Sequence, residues 1–541
     1  MSDIRQNPPA TLDDQSWWRS AVIYQIYPRS FADANGDGIG DLAGIRSRLP
    51  YLVDLGVDAI WVSPFYPSPQ ADAGYDVADY RDVDPIFGSL QEFSALVEDG
   101  HRMGLRVIVD LVPNHTSDRH AWFQAALAAA PGSPERSRYL FREGRGPGGN
   151  LPPNNWVSNF GGPAWTRVPD GQWYLHLFSP QQPDLDWTNE EVVAEFHEIL
   201  RFWMKLGVDG FRIDVAHGLA KDSDLADLPN GESDHLLTPA HTNDHPHWDR
   251  DEIHEVYRGW RAVVDEFGGD RVFCAEAYVP NPKRFADYVR PDELHTAFNF
   301  DFLQANWDAA DYRRVIDATM STLRAVGAPA TWVLSNHDVV RHPTRFGGGE
   351  QGLRRAQAGT LLMLALPGGA YVYQGEELGL PEVLDIPDDR RQDPIFLRSG
   401  GERPGRDGCR VPLPWGGSQA PYGFGPAGTP WLPQPASWGP LTVEAQTGDP
   451  TSTLEFYRSA LRIRRELPEL GDGPMTWLDA PAGMLALGRG RVLCAVNFTD
   501  EPLPLPAAFG AAVPLLTSGD GLHDATAGVL GGNSAAWFLA G

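Results

Sequence analysis

"GVDGFRIDVAH" (Gly207–His217) decides how this chain is read. Its apolar residues suit a buried strand, yet Arg212 and Asp214 stand two positions apart. Side chains of a strand alternate between faces, so these two point the same way. A buried ion pair kept for its own sake is weak evidence of stability, because desolvation can exceed the Coulombic gain. The other reading is that the strand ends in a site. The rest of the chain bears on that choice.

Seven more short apolar runs recur, separated by helix-length stretches. They are "AVIYQIYP" (21–28), "AIWVSP" (59–64), "RVIVDLVPNH" (106–115), "RVFCAEAY" (271–278), "AFNFDF" (297–302), "TWVLSNHD" (331–338) and "AYVYQGEE" (370–377). Near-continuous Val, Ile and Phe suit parallel strands covered on both faces. Eight strands alternating with helices predict an α/β fold of the (β/α)8 barrel kind, with a doubly wound open sheet as the alternative. Most runs carry their charged residues at the C-terminal end, where barrel enzymes keep their sites.

Composition narrows the function. With 42% hydrophobic and 11% aromatic residues, the chain can bury a large core, leaving only the polar first fifteen residues as a candidate for disorder. Its 44 basic and 72 acidic residues give a net charge of −28. Such a surface repels phosphate backbones and anionic lipids, which argues against nucleic-acid and membrane partners. Cys274, Cys409 and Cys494 are too few and too scattered for a disulfide framework or a zinc motif. No basic segment followed by an apolar stretch opens the chain, and the most apolar window (358–375) breaks at Pro367. A cytoplasmic protein, monomeric or a small homo-oligomer, is the expectation.

Residues 111–181 hold a long irregular stretch rich in Pro, Gly, Asn and Trp, read as a subdomain inserted after the third strand. The barrel is expected over 1–110 and 182–471. A last helix is predicted at Ser452–Leu467, where Ser452 and Glu455 form a capping-box signature. Alternating segments between glycine-rich turns then predict an antiparallel β-domain over 472–541.

Four strand ends carry chemistry: Asp110 with His115, Arg212 with Asp214, Glu276, and His337 with Asp338. A lone strand-end Asp is usually a helix cap. In a barrel, however, all of these converge. Three buried carboxylates at close range cannot all ionise cheaply, so one pKa must rise. Separated carboxyl pKa values are what cleavage of a glycosidic bond requires. A divalent-metal site is the competing use of such a cluster, and Arg212 argues against it by already supplying positive charge.

"DLVPNH" (110–115), "GFRIDVAH" (210–217), "EAY" (276–278) and "SNHD" (335–338) resemble, in order and spacing, the four signature regions of the α-amylase family of retaining glycoside hydrolases. "QPDLDW" (182–187) is similar to a fifth region of its α-glucosidase and oligo-1,6-glucosidase branch. The resemblance covers nearly the whole chain and implies a barrel, an insertion after strand three and a C-terminal β-domain. It implies that Asp214 is the nucleophile, Glu276 the general acid/base and Asp338 a third carboxylate gripping sugar hydroxyls. Arg212 would hold Asp214 ionised, and His115 and His337 would hydrogen-bond the same glucose. Tyr75, with Phe178, would contact the substrate ring, plain packing being the other reading. Asp76 would bind the far hydroxyls and pair with Arg410, closing the pocket for exo-action at a non-reducing end.

The loop "DANGDGIGD" (33–41) offers oxygens at Asp33, Asn35, Asp37, Asp41 and the Ile39 carbonyl in the rhythm of a calcium loop. Gly44 at the twelfth position rules out an EF-hand. Such a loop is a calcium site in the oligo-1,6-glucosidase branch, so a structural calcium is implied, against a plain glycine-rich turn.

"DVAHGL" lacks the Lys-His that follows the nucleophile in starch-cleaving endo-amylases. Val215 hints at α-1,6 tolerance, whereas Ala216-His217 departs from the pattern of those enzymes. The resemblance therefore implies an exo-acting α-glucosidase on maltose, malto-oligosaccharides or isomaltose, with no catalytic cofactor. A glucosyl transferase or isomerase would use the same carboxylates. A non-catalytic sugar-binding relative would have lost them.

Overall fold

The computed structural model describes residues 16–229, 245–268, 270–519 and 528–541; the polar first fifteen residues lie outside these. Eight strands, β1 (Val22–Ile26), β2 (Ala59–Val62), β3 (Arg106–Leu111), β4 (Gly210–Ile213), β5 (Val272–Ala275), β6 (Thr296–Ala297), β7 (Thr331–Val333) and β8 (Gly369–Tyr373), form one parallel sheet. Its order is β7-β8-β1-β2-β3-β4-β5-β6. A single backbone bond, Asn299 N–H to Thr331 O at 3.1 Å, spans the seam between β6 and β7, so the sheet is a nearly closed barrel and not an open one.

Strand alternation sorts the side chains. Ile23, Ala59, Trp61, Ile108, Val272, Cys274, Val333 and Tyr371 pack together inside the barrel. Their neighbours Tyr24, Ile60, Val109, Phe211, Phe273 and Val372 join the layer shared with the outer helices. On β4 this puts Gly210 and Arg212 on the inward face. A Cβ at Gly210 would fall 2.4 Å from the Val272 carbonyl oxygen, so only glycine lets β4 and β5 approach there. Asp110 pairs with Arg212 in the β3–β4 register, and Arg212 with Cys274 in β4–β5. All three cysteines are buried and none forms a disulfide.

The run at 297–302 reads as a strand, but its pairing ends at Ala297. Asn299 accepts the Phe302 N–H at 2.8 Å and caps a short helix, Phe300–Gln304. The side-chain cap overrides the β preference of the phenylalanines.

After β3 the chain leaves the barrel, forming a helix (Ala121–Ala128) and a small antiparallel sheet of Phe141–Glu143, Trp165–Arg167 and Gln172–Leu175. The helix Glu190–Lys205 then leads into β4. Ser452 caps the helix Thr453–Glu466 by accepting the Glu455 N–H at 3.2 Å, although Glu455 itself accepts from Gly448 and so does not complete the reciprocal box. β9 (Thr476–Leu478), β10 (Met484–Arg489), β11 (Val492–Asn497), β12 (Val513–Thr517) and β13 (Ser534–Leu539) form the C-terminal antiparallel sheet, ordered β9-β10-β11-β13-β12. Among the described residues no helix is long and apolar enough to cross a membrane.

Candidate active site

A cavity of about 270 Å³ opens where the barrel strands end. Asp214, Glu276, Asp338, Tyr75, His115 and Phe178 line it, joined by Asp72, Asn159, Phe160, Val215, Tyr278, Ile395 and Arg406. Ladder bonds continue just past the strands: Asp214 N–H to Leu111 O and Glu276 N–H to Ile213 O, each at 2.9 Å. These fix the backbone from which both carboxyls project.

Arg212 is wholly enclosed and touches three acids. Nη1 donates to Asp214 Oδ1 at 2.6 Å and to Asp110 Oδ1 at 2.9 Å, while Nη2 lies 2.8 Å from Glu276 Oε2. Its guanidinium also packs 5.1 Å from the Trp61 ring centroid. One cation cannot neutralise three buried carboxylates. Burial raises the carboxyls of Asp110, Asp214 and Glu276, with Arg212 opposing the rise. A proton is therefore retained among the three near neutral pH. Glu276 Oε2 accepts from Arg212 and, at 3.0 Å, from the Val215 N–H. Both donors serve one oxygen, Oε2.

Val215 adopts φ +46°, a left-handed conformation unusual for a β-branched residue. Such strain costs on the order of 1–3 kcal/mol and persists where the surroundings demand it. Here it aims the Val215 N–H at the Glu276 carboxyl.

A second charged group lies across the cavity. Asp338 Oδ1 accepts from Arg406 Nη1 and Arg410 Nη2, both at 2.9 Å. Burial opposes its ionisation, yet the guanidiniums of Arg406 and Arg410 pull it far below the usual carboxylate range. Arg406 Nη2 also donates to Asp72 Oδ1 at 2.7 Å. The expected pairing of Asp76 with Arg410 is not formed. Both oxygens of Asp76 accept loop N–H groups, those of Ala71 and Asp72 at 2.9 Å, and Arg410 sits against Asp338 and Asp393 instead. The acid–arginine pair at the cavity is Asp72 with Arg406. Asp72 was hidden by the better-looking Asp76 beside Tyr75; its spacing of three from Tyr75 was the available signal.

His337 stacks on Tyr75 with ring centroids 5.3 Å apart and planes 7° apart. Gln25 Nε2 lies 2.7 Å from His337 Nδ1, which assigns the proton to Nε2, 2.6 Å from the Tyr75 hydroxyl. Tyr75 in turn donates to Asp110 Oδ2 at 3.0 Å. Burial pushes His337 far below its ordinary value and His115 down to about 4, so both are neutral. The His115 ring lies 5.2 Å from that of Phe178. Gln25 was not singled out in the sequence, since a lone glutamine within an apolar strand carries no motif.

The Asp33–Asp41 loop is held by its own turns. Asp33 accepts from Gly36 and Gly38, Asn35 from Asp37, Asp37 from Ile39, and Asp41 from Gly44, Ala34 and Asn35. Burial, with the nearby charge of Asp33, pushes the Asp41 carboxyl up. The oxygen donors suit a hard cation, but among the described residues no three His, Cys, Asp or Glu side chains gather closely enough to hold a metal ion. The loop as placed does not form the expected calcium cage.

A barrel whose mouth gathers raised carboxyls around one arginine, with a further acid braced by two arginines beside them, has the layout of a glycoside hydrolase. Residues 25–473 match the model of the α-amylase catalytic domain, and the chain belongs to the α-amylase family. It is 41% identical over 512 residues to a probable alpha-glucosidase of Rhizobium meliloti (strain 1021), covering 90% of each chain. It is 35% identical to an oligo-1,6-glucosidase of Parageobacillus thermoglucosidasius, covering 90% of this chain and 91% of the relative. The solved structure of an alpha-glucosyl transfer enzyme, XgtA, superposes with a TM-score of 0.87 at 38% identity, over 97% of this chain and 99% of that one.

Proposed function

We propose that the protein is an exo-acting, retaining α-glucosidase that releases glucose from short α-glucosides. The observation that carries this is the cavity itself. Asp214, held by Arg212, and Glu276 line it together, and the Asp72–Arg406 pair bounds the same space. In this reading Asp214 attacks the anomeric carbon while the Glu276 carboxyl protonates the departing oxygen. The C–O bond breaks as the Asp214–glucose ester forms, and Glu276 is left ionised. Water then enters, gives a proton to Glu276 and its oxygen to the sugar, and Asp214 is regenerated. Asp338, Asp72, Arg406, His115 and His337 grip the glucose hydroxyls, and no catalytic cofactor takes part.

Product analysis on maltose, isomaltose and sucrose, at low and high concentration, tests the proposal. Free glucose formed in step with substrate loss supports it. New oligosaccharides without matching glucose favour the transfer reading, which the likeness to a glucosyl transfer enzyme keeps in view.

Calcium at the Asp33–Asp41 loop enters only as a structural ion. Hard oxygen donors with no cationic partner are its kind of ligand. Binding would require the side chains to turn from the loop N–H groups, and no catalytic step depends on it.

A further inference from the structure

Asp393 is the buried acid on which both pocket arginines converge, and neither the motifs nor the reaction scheme uses it. Its side chain is fully enclosed. Oδ2 accepts from Arg406 Nε at 2.6 Å and lies 3.6 Å from Arg410 Nη1. Oδ1 accepts the Ile395 N–H at 2.8 Å, capping the short helix Pro394–Arg398. The Asp393 N–H donates to Asp407 Oδ2 at 3.1 Å. Gly405, at φ +68°, packs so closely that a Cβ there would fall 2.8 Å from Asp393.

We propose that Asp393 is a positioning residue for glucose binding, acting through Arg406. A guanidinium is a planar fork with its five N–H directions fixed relative to one another. Holding Nε at Asp393 turns the two Nη groups outward, one to Asp338 at 2.9 Å and one to Asp72 at 2.7 Å. The charge count points the same way. Asp72, Asp338 and Asp393 share two guanidiniums, Arg406 and Arg410, beside the neutral His337 Nε2 that lies 3.3 Å from Asp338 Oδ2, so neither arginine settles on a single acid and Arg406 bridges. Without the Asp393 charge the two arginines pair one-to-one with the remaining acids, and the bridge across the sugar site is released. Through its cap, Asp393 also fixes Ile395, which lines the same cavity. Arg398, at the end of that helix, donates to the Gly161 carbonyl, tying this wall to the inserted segment.

The inference rests on the α-glucosidase reading of the site. Its test measures kcat, KM, glucose Ki and Tm for wild type, D393N, R406K and the double variant. D393N is expected to raise KM and glucose Ki about tenfold, with kcat within about threefold and Tm within a few degrees. On the R406K background D393N should change glucose Ki less than about twofold, because the two act as one unit. Additive effects, or a lower Tm and active fraction with unchanged KM and Ki, overturn the proposal. If D393N yields no folded protein, D393E serves: it keeps the charge but displaces both oxygens, and unchanged KM and Ki would overturn the proposal equally. A wild type inert on every α-glucoside removes the glucosidase reading and this proposal together, whereas an active wild type with an indifferent D393N removes only this one.

Discussion

Two groups of three acids meet at the cavity, Asp214 and Glu276 lining it from one and Asp72 and Asp338 from the other, and they differ by one arginine. Asp110, Asp214 and Glu276 share Arg212 alone, while Asp72, Asp338 and Asp393 share Arg406 and Arg410. Both groups are buried, so desolvation acts on each alike. In the first it wins, and the carboxyls rise. In the second the arginines hold Asp338 and Asp393 below the ordinary range, although burial still raises Asp72. The cation count thus separates a group that keeps a proton for chemistry from one that stays charged for binding. A third case extends the series. Glu376 is buried and, among the described residues, meets no cation, accepting the Tyr373 N–H at 2.9 Å and the Tyr457 hydroxyl at 3.4 Å, and burial pushes it up to about 8.

The comparison breaks first at the proton-keeping group. D214N removes the proposed nucleophile and is expected to lower kcat by at least about 10⁴-fold, and E276Q by about 10²–10⁴-fold, the range general acid–base catalysis supplies. Retained activity in either, measured by glucose release, would contradict the assignment. Next comes the binding group. D72N should raise KM about tenfold with kcat little changed, because on the proposed reading Asp72 holds the sugar equally before and during the reaction. It should also leave the pH limbs of kcat/KM unmoved. On the proposed mechanism those limbs belong to the Asp214–Glu276 pair, both members of which burial displaces upward. A limb that moved in D72N would mean the two groups titrate as one.

Stability offers a smaller handle. Glu376 is raised in the folded state, so its contribution is fully present below its unfolded pKa and is lost as pH rises towards about 8. Wild type should lose up to about 1.4 kcal/mol per pH unit through this group between pH 5 and 8, and E376Q should show a flatter profile in chemical denaturation. The smallest expected effect is that of calcium. Millimolar calcium should raise Tm by a few degrees over a chelator control; no difference would leave the Asp33–Asp41 loop to its own hydrogen bonds.

The barrel was legible because eight apolar runs recurred, most of them ending in charged residues, and alternation on β4 already set Arg212 and Asp214 to one side. The β6 run misled because its cap, Asn299, outweighs the strand preference of Phe300 and Phe302. Within the site, residues at strand ends were readable, since a motif and a strand terminus coincide there. Asp72 was not, because its partner Arg406 is 334 positions away and Asp76 beside Tyr75 looked the better acid. Nor was Gln25, whose effect is to assign the His337 proton to Nε2. That role exists only once β1 and the loop after β7 are brought together.

The most direct test of the account is to trap the intermediate. Incubation with 5-fluoro-α-glucosyl fluoride, rapid quench and peptide mass spectrometry should find one 5-fluoroglucosyl adduct on Asp214. An adduct on Glu276 or Asp338, or none while substrate is turned over, would contradict the claim that the acid braced by Arg212 is the nucleophile.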